Sequence, residues 1–374
     1  MKILIVRTHA SYLDINSYNV QEIGLAKAYK AMGHTVDIVF WGGRASTRTV
    51  EPEEGINIIY MKSFGVIKNG IFPGIKKLAA GYDLIQTHEY DQITSWLLYT
   101  DRKLCDKVIL YHGPYYSSFN KGYNIRCRIA DNIMLKLKAN PRVRCFTKSE
   151  AAKDFLVSKG FVNVKAVGVG LDTSIWDEAV EPDLHSANQG QTGRPFTYLY
   201  IGKIELRRNS LFLMKLMDRL LTMHDDVRCV VVGDGDSDYL DQCLSVAKKH
   251  IDSGRMIYRS KVNQSEIASV YKESDCMLFP SIYEIFGMVL MEAMYFTVPV
   301  ITSDNGGADM LYRNGENGLV INSNRYGEFR LEEWVDAAER IYSDSKLREA
   351  IRTKLSEDRH RLGWEEVAKG ILGV

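Results

Sequence analysis

FPSIYEIFGMVLMEAMYFTVPVITSDNGG, residues 279–307, holds two glutamates, Glu284 and Glu292, eight positions apart around a glycine turn and a helix start. Eight residues is slightly more than two helical turns, so both carboxylates can share one face of one element. Upstream, CMLFP (276–280) is short, apolar and closed by Pro and Ser, which predicts a buried strand. Downstream, VPVITS (298–303) predicts another. Strand, loop, helix, strand is the unit of an open parallel sheet, where ligands bind beyond the carboxyl ends of the strands at helix N-termini. The helix start falls near Phe286–Met288. Its free N–H groups suit an anion, and the two carboxylates suit hydroxyl groups. Phosphate plus polyhydroxyl is the chemistry of a nucleotide sugar.

The same segment resembles the E-x7-E signature of the retaining glycosyltransferases of family 4, which have the GT-B fold. The family pattern runs PS-x-x-E-x-F-G, then E-A-M-A-x-G-x-P-V-I, with Gly-Gly shortly after. This chain keeps Pro280, Ser281, Glu284, Phe286, Gly287, Glu292, Ala293, Met294, Pro299, Val300, Ile301, Gly306 and Gly307. It departs at Tyr295-Phe296-Thr297, where the family commonly has Ala-x-Gly; the change bulks the helix end and spares the polar positions.

A length of 374 residues exceeds what one hydrophobic core usually supports and predicts two domains. The composition, 45% apolar and 25% charged, is that of a globular enzyme. A formal net charge of +1 gives no global pointer to nucleic acid, which is not expected as a partner. The six cysteines, at 105, 127, 145, 229, 243 and 276, include no C-x-x-C pair and read as buried thiols of a reducing compartment. The apolar run within MKILIVRTHA is too short for a signal or membrane span, so a cytoplasmic location is expected.

Apolar strands alternate with amphipathic helices along the chain, the pattern of doubly wound α/β domains. Strands are predicted at Ile3–Val6, Thr35–Phe40, Ile56–Met61, Leu84–Thr87 and Val108–Tyr111, with helices at Asn19–Met32, Ile75–Ala80 and Ser149–Ser158. EPDLHSANQGQTGRP (181–195), polar and rich in Gly, Gln and Pro, predicts a linker. The alternation restarts beyond it, with strands at Phe196–Ile201, Val227–Val232 and Met256–Tyr258, and helices at Leu211–Met223, Asp238–His250 and Gln264–Glu273. Two last helices are expected at Leu331–Leu355 and Trp364–Ile371. The expected domains are therefore 1–180 and 196–355; the resemblance implies that the first binds the acceptor and the second the nucleotide sugar, and that a helix in 356–374 crosses back to the first.

The resemblance also implies site residues. After the strand Phe196–Ile201, the chain reads Gly202-Lys203-Ile204-Glu205-Leu206-Arg207-Arg208-Asn209. The family has G-R-x-x-x-x-K-G here, with both cations on the donor diphosphate. By position Lys203 takes the place of the Arg and Arg208 that of the Lys, so the cations are exchanged. Asn209 stands for Gly and tolerates the same left-handed turn. The family's glutamates place Glu292 on the ribose hydroxyls and Glu284 on the donor sugar, with Phe286, Gly287, Met288 and Val289 around the diphosphate. The base rests near Arg259, Ser260 and Lys261, which leaves UDP and GDP open. Asp234 and Asp236 form a D-x-D that invites a metal, but two glycines after a buried strand predict a tight turn with the aspartates capping the next helix. No metal or cofactor is expected.

In the first domain, His112 follows a strand end and, by resemblance, lies near the donor sugar's primary hydroxyl. His88 and Glu89 also follow a strand end and would line the acceptor side. Tyr115 would stack on sugar or pack. Where the family carries Gly-Gly after the first strand, this chain has Asn16-Ser17. Residues 121–153 hold nine Lys or Arg and two acids, with Ile129, Ile133, Met134, Leu135 and Leu137 interspersed. Such a basic amphipathic helix suits an anionic membrane surface, and equally a solvated face.

The expectation is a two-domain GT-B enzyme with its active site in the interdomain cleft. It would be a metal-independent, retaining hexosyltransferase that moves a sugar from a UDP or GDP donor to a glycan or lipid-linked acceptor. Polysaccharide or glycoconjugate biosynthesis is the expected setting. The rival from another class is a non-catalytic partner subunit of the same fold; a phosphorylase or epimerase is a second. A nicotinamide dehydrogenase does not fit, because no G-x-G-x-x-G follows Ile3–Val6.

Overall fold

The computed structural model describes residues 1–66, 68–174, 176, 193–323 and 329–374. They form two compact units, residues 1–172 with 363–374, and residues 173–362. The expected linker at 181–195 lies outside the described residues except for 193–195. The units divide at 172 and 362 rather than at 180 and 355, because the chain up to Leu362 stays with the second unit and Trp364 enters the first.

The first unit is built on strands β1 (Lys2–Val6), β2 (Thr35–Trp41), β3 (Arg48–Glu53), β4 (Ile56–Met61), β7 (Leu84–His88), β8 (Val108–His112), β9 (Arg144–Thr147) and β10 (Val164–Ala166), in the order β10-β9-β8-β7-β1-β2-β4-β3. All pairs are parallel except β3 with β4. A small hairpin, β5 (Phe64–Val66) with β6 (Asn69–Ile71), lies apart from it. Helices α1 (Gln21–Ala31), α2 (Ile75–Ala79), α3 (Ile93–Tyr99), α4 (Lys121–Ile129) and α5 (Glu150–Ser158) connect the strands. The central strands are continuous apolar runs because both faces are covered: Ile3, Leu4, Ile5 and Val6 of β1 have no exposed surface.

Among the described residues, the second unit has six parallel strands, β11 (Phe196–Ile201), β12 (Val227–Val232), β13 (Met256–Arg259), β14 (Cys276–Phe279), β15 (Val300–Ser303) and β16 (Leu319–Ile321), in the order β13-β12-β11-β14-β15-β16. Its helices are α6 (Ser210–Met223), α7 (Ser237–Val246), α8 (Lys248–Asp252), α9 (Ile267–Lys272), α10 (Met288–Tyr295), α11 (Ala308–Leu311), α12 (Leu331–Ser343) and α13 (Ser345–Asp358). The helix expected over 331–355 is broken at Asp344, whose carboxylate accepts from Leu347 N at 2.9 Å and caps α13.

The last helix, α14 (Trp364–Leu372), packs on α1. Gly24 and Gly170 make room for the Trp364 ring; a Cβ at Gly24 would lie 2.2 Å from Trp364 Nε1. That indole donates to Asn19 Oδ1 at 3.0 Å. Among the described residues, no helix is long and apolar enough to cross a membrane.

Candidate active site

In each sheet the chain leaves one central strand toward one edge and later returns on the other side, which opens a crevice at the carboxyl ends. In the second unit that switch point lies between β11 and β14. The loops after β11 and β12 run backbone against backbone: a Cβ on Gly233 would lie 1.9 Å from Gly202 O, and one on Gly235 2.2 Å from Ile204 O. Ile204 N donates to Asp234 O at 2.8 Å. The glycines of Gly233-Asp234-Gly235 thus serve close approach. Asp236 does precede α7, but its side chain makes no capping bond, against expectation. Arg259 and Ser260 are exposed at the end of β13, where Arg259 O accepts from Gly233 N at 2.9 Å.

Past Gly202 and the exposed Lys203, one short turn leads through Asn209, at φ 55° and ψ 40°, into α6. The left-handed Asn read from the sequence is present. The turn aims two guanidinium groups at the loop after β14. Arg208 Nη1 lies 2.6 Å from Glu284 Oε1, with the guanidinium 5.1 Å above the Phe279 ring. The contact is off the line of the N–H bonds, so it is electrostatic, and the Nε and Nη1 hydrogens have no directed acceptor among the described residues. Arg207, which sequence reasoning passed over, donates to Tyr283 O at 3.1 Å and Glu284 Oε1 at 3.3 Å, and its Nη2 is 2.8 Å from Glu205 Oε1. Ser281 Oγ donates to the same Glu284 oxygen at 2.7 Å. Two cations and a hydroxyl therefore hold a carboxylate that is only 4% exposed, the pairing a buried charge requires.

Glu284 precedes α10, so the two glutamates do not share one helix face. Glu292, within α10, turns to another partner: its Oε2 accepts from Tyr271 OH at 2.8 Å. Tyr271 stacks on Phe296 with centroids 5.2 Å apart, and Phe296 and Tyr295 pack against Trp176. The bulky residues that depart from the family pattern thus build an aromatic wall behind Tyr271. Thr297 holds φ 54° where that pattern has Gly.

Gly287, at φ 83°, opens α10, with Phe286 buried before it and Met288 and Val289 half-buried in its first turn. Gly307 backs this turn so closely that a Cβ would lie 1.4 Å from Phe286 O. Asn305 Oδ1 fixes the following loop by accepting from Gly307 N and Ala308 N, both at 3.2 Å.

The first unit has its own switch point, between β1 and β7, and a cavity of about 360 Å³ opens there. Arg7 and Thr8 after β1, His88 at the end of β7, Glu89 and Gln92 after it, and Lys148 after β9 contribute to its wall. Of the expected acceptor-side residues, Ser17, His88 and Glu89 come together here. Asn16 is exposed outside the lining, its N–H given to Asp14 Oδ1 at 3.0 Å, and Tyr115 packs against the core. Arg7, Gln92 and Lys148 were not foreseen; a strand-end position is the signal that would have found Arg7 and Lys148. Gln92 is 1% exposed, and both its amide atoms lack a partner among the described residues. Burial pushes His88 down to about 3, with Lys148 and Arg7 adding to the shift. Burial also lowers Lys148, against the pull of Glu89 and Glu22.

His112 has no exposed surface and does not line this cavity. It stacks on Phe155 at 5.6 Å, meets Tyr90 edge-on and has Tyr123 OH 3.4 Å from Nε2. Burial pushes its pKa down to about 3, so the ring is neutral. The expected contact with a donor hydroxyl is offered by no exposed face of this ring.

Residues 183–357 match the family model described as glycosyl transferases group 1. An uncharacterized glycosyltransferase of Methanocaldococcus jannaschii is 28% identical over 179 residues, 47% of this chain and 43% of that protein. A D-inositol 3-phosphate glycosyltransferase of Corynebacterium aurimucosum is 22% identical over 407 residues, 98% of this chain and 94% of that protein. The chain spans less than half the length of several curated relatives it matches. Among solved structures, a sucrose-phosphate synthase from Thermosynechococcus elongatus aligns with a TM-score of 0.71 at 17% identity, covering 100% of this chain and 97% of that one. That likeness gives the fold, two Rossmann-like units of the GT-B class.

Proposed function

We propose that this chain, whose residues 183–357 belong to the glycosyl transferases group 1 family, moves a hexose from a UDP or GDP donor to a glycan or lipid-linked acceptor in polysaccharide or glycoconjugate biosynthesis. The observation that carries the reading is the meeting of Arg208 and Glu284 at the switch point of the second sheet. A diphosphate leaving group needs its developing charge met by preorganised donors. Arg208, whose Nε and Nη1 hydrogens have no directed acceptor among the described residues, Lys203 and the N-terminus of α10 supply them without a divalent cation.

Glu292, oriented by Tyr271, takes the ribose hydroxyls, and Glu284 contacts the donor sugar. The cavity between Arg7 and Lys148 takes the acceptor. Transfer retains anomeric configuration. The bond from C1 to the phosphate oxygen breaks, the bond from C1 to the acceptor oxygen forms on the same face, and the acceptor proton passes to the departing phosphate. Arg259 and Ser260 lie on the base side.

Calorimetric titration with UDP and GDP, then with their sugars, tests the proposal. One diphosphate should bind, and Glu284→Gln should remove turnover while changing that affinity only a few-fold. If no nucleoside diphosphate binds, a non-catalytic partner of the same fold becomes the better account.

A further inference from the structure

Helix α4 and the π-helical turn that continues it, Ala130–Leu135, sort their side chains by charge. Tyr123, Cys127, Ala130 and Met134 are buried in the core of the first unit. The one acid of this helical stretch, Asp131, turns inward, paired with Lys159 and accepting from Tyr90 OH at 2.9 Å. Arg126 also turns inward, to Asp91 at 3.0 Å and Glu89 at 3.6 Å. What remains outside is a line of large aliphatics four positions apart: Ile125 at 57% exposure, Ile129 at 48%, Ile133 at 52% and Leu137 at 72%. Exposed among them are Lys121, Arg128, Lys136 and Lys138, none in an ion pair among the described residues.

The backbone serves this line. Positions four apart on an α-helix drift round the axis by roughly 40° each step. A π turn, bonded i to i+5, advances less per residue and checks that drift. Four exposed aliphatics in line are out of place in water. Interleaved cations with no exposed acid on the same stretch select the complement: a headgroup layer of negative charge over hydrocarbon. We propose that this face of α4 and its π turn docks the chain on an anionic membrane surface, with the aliphatics at the acyl boundary and the cations among the headgroups. The inference is independent of nucleotide binding.

The test is co-sedimentation of the full chain with phosphatidylcholine vesicles, with and without phosphatidylglycerol, at low and high salt. Binding is expected only to the anionic vesicles and should fall as salt rises. Arg128→Ser with Lys136→Ser should weaken it roughly thirtyfold, at about 1 kcal/mol per cation near the surface. Ile129→Ser with Ile133→Ser should weaken it by about tenfold or more. Both variants should keep the wild-type melting temperature within a few degrees, which separates a lost contact from a lost fold. If the wild type ignores anionic vesicles, or both variants bind as it does, the membrane assignment fails and the face is a solvated one.

Discussion

Replacing Arg208 with Ala separates the part of this residue's work that concerns a ligand from the part that concerns the fold. Two unit charges about 4 Å apart interact by about 4 kcal/mol at an effective dielectric of about 20. Glu284, 2.6 Å from Nη1, already draws on the same guanidinium, so a phosphate recovers roughly half, about 2 kcal/mol, or about thirtyfold in Kd. The carboxylate left behind keeps Arg207 and Ser281, so the fold loses only about 1–2 kcal/mol, less than the cost of a fully orphaned buried charge. Calorimetry with UDP and GDP, beside uridine and guanosine, reads this out. The Kd for the diphosphate should rise about thirtyfold while nucleoside affinity holds, and Arg208→Lys, which keeps the charge but not the fork, should fall between. An unchanged diphosphate Kd in Arg208→Ala would place the residue outside the binding site and remove the main support for the proposed chemistry.

Gly307→Ala should melt several degrees lower and lose nucleotide affinity together, because the Cβ collides with Phe286 O at 1.4 Å and pushes the α10 start out of place; a variant with wild-type melting and binding would contradict that. For His112, the folded pKa of about 3 lies below the ordinary 6.5, so its contribution is complete above about 6.5 and drains as pH falls toward 3. Denaturant unfolding at about pH 5 should therefore show about 2 kcal/mol less stability from this group than at about pH 7.5, and His112→Phe should remove that part of the slope. Identical pH slopes in the two proteins would show that the imidazole protonates freely in the folded state.

The strands legible in the sequence are those covered on both faces, such as β1, β11 and β12, because double burial writes an unbroken apolar run. β3, RTVEPE, is a mostly exposed antiparallel edge and carries no such run. The loop after β11 and the 279–307 stretch were legible because their chemistry is local: Asn209 at a left-handed turn and Gly287 at a helix start lie within a few residues of what they serve. The rest depends on packing. Glu284 read as a partner for sugar, yet only the crossing of two strand-end loops reveals Arg207 beside it. Tyr271 lies in α9 and Phe296 just past the end of α10, and they meet through topology alone. Arg7, Gln92 and Lys148 belong to three distant segments whose shared wall is a product of strand order. His112 illustrates the converse: a strand-end position suggested a ligand, while the surrounding Tyr90, Phe155 and Tyr123 form a closed aromatic setting.

The helix Trp364–Leu372 has a consequence for how the chain is made. In sequence, the whole second unit is an insertion within the first. During synthesis, residues 1–172 emerge early but lack the indole that fills the notch at Gly24 and Gly170 and answers Asn19. Residues 173–362 are contiguous and can close their own core as soon as they clear the ribosome. The half that begins first is therefore finished last, and until residues 363–374 arrive, the notch beside α1 stays open.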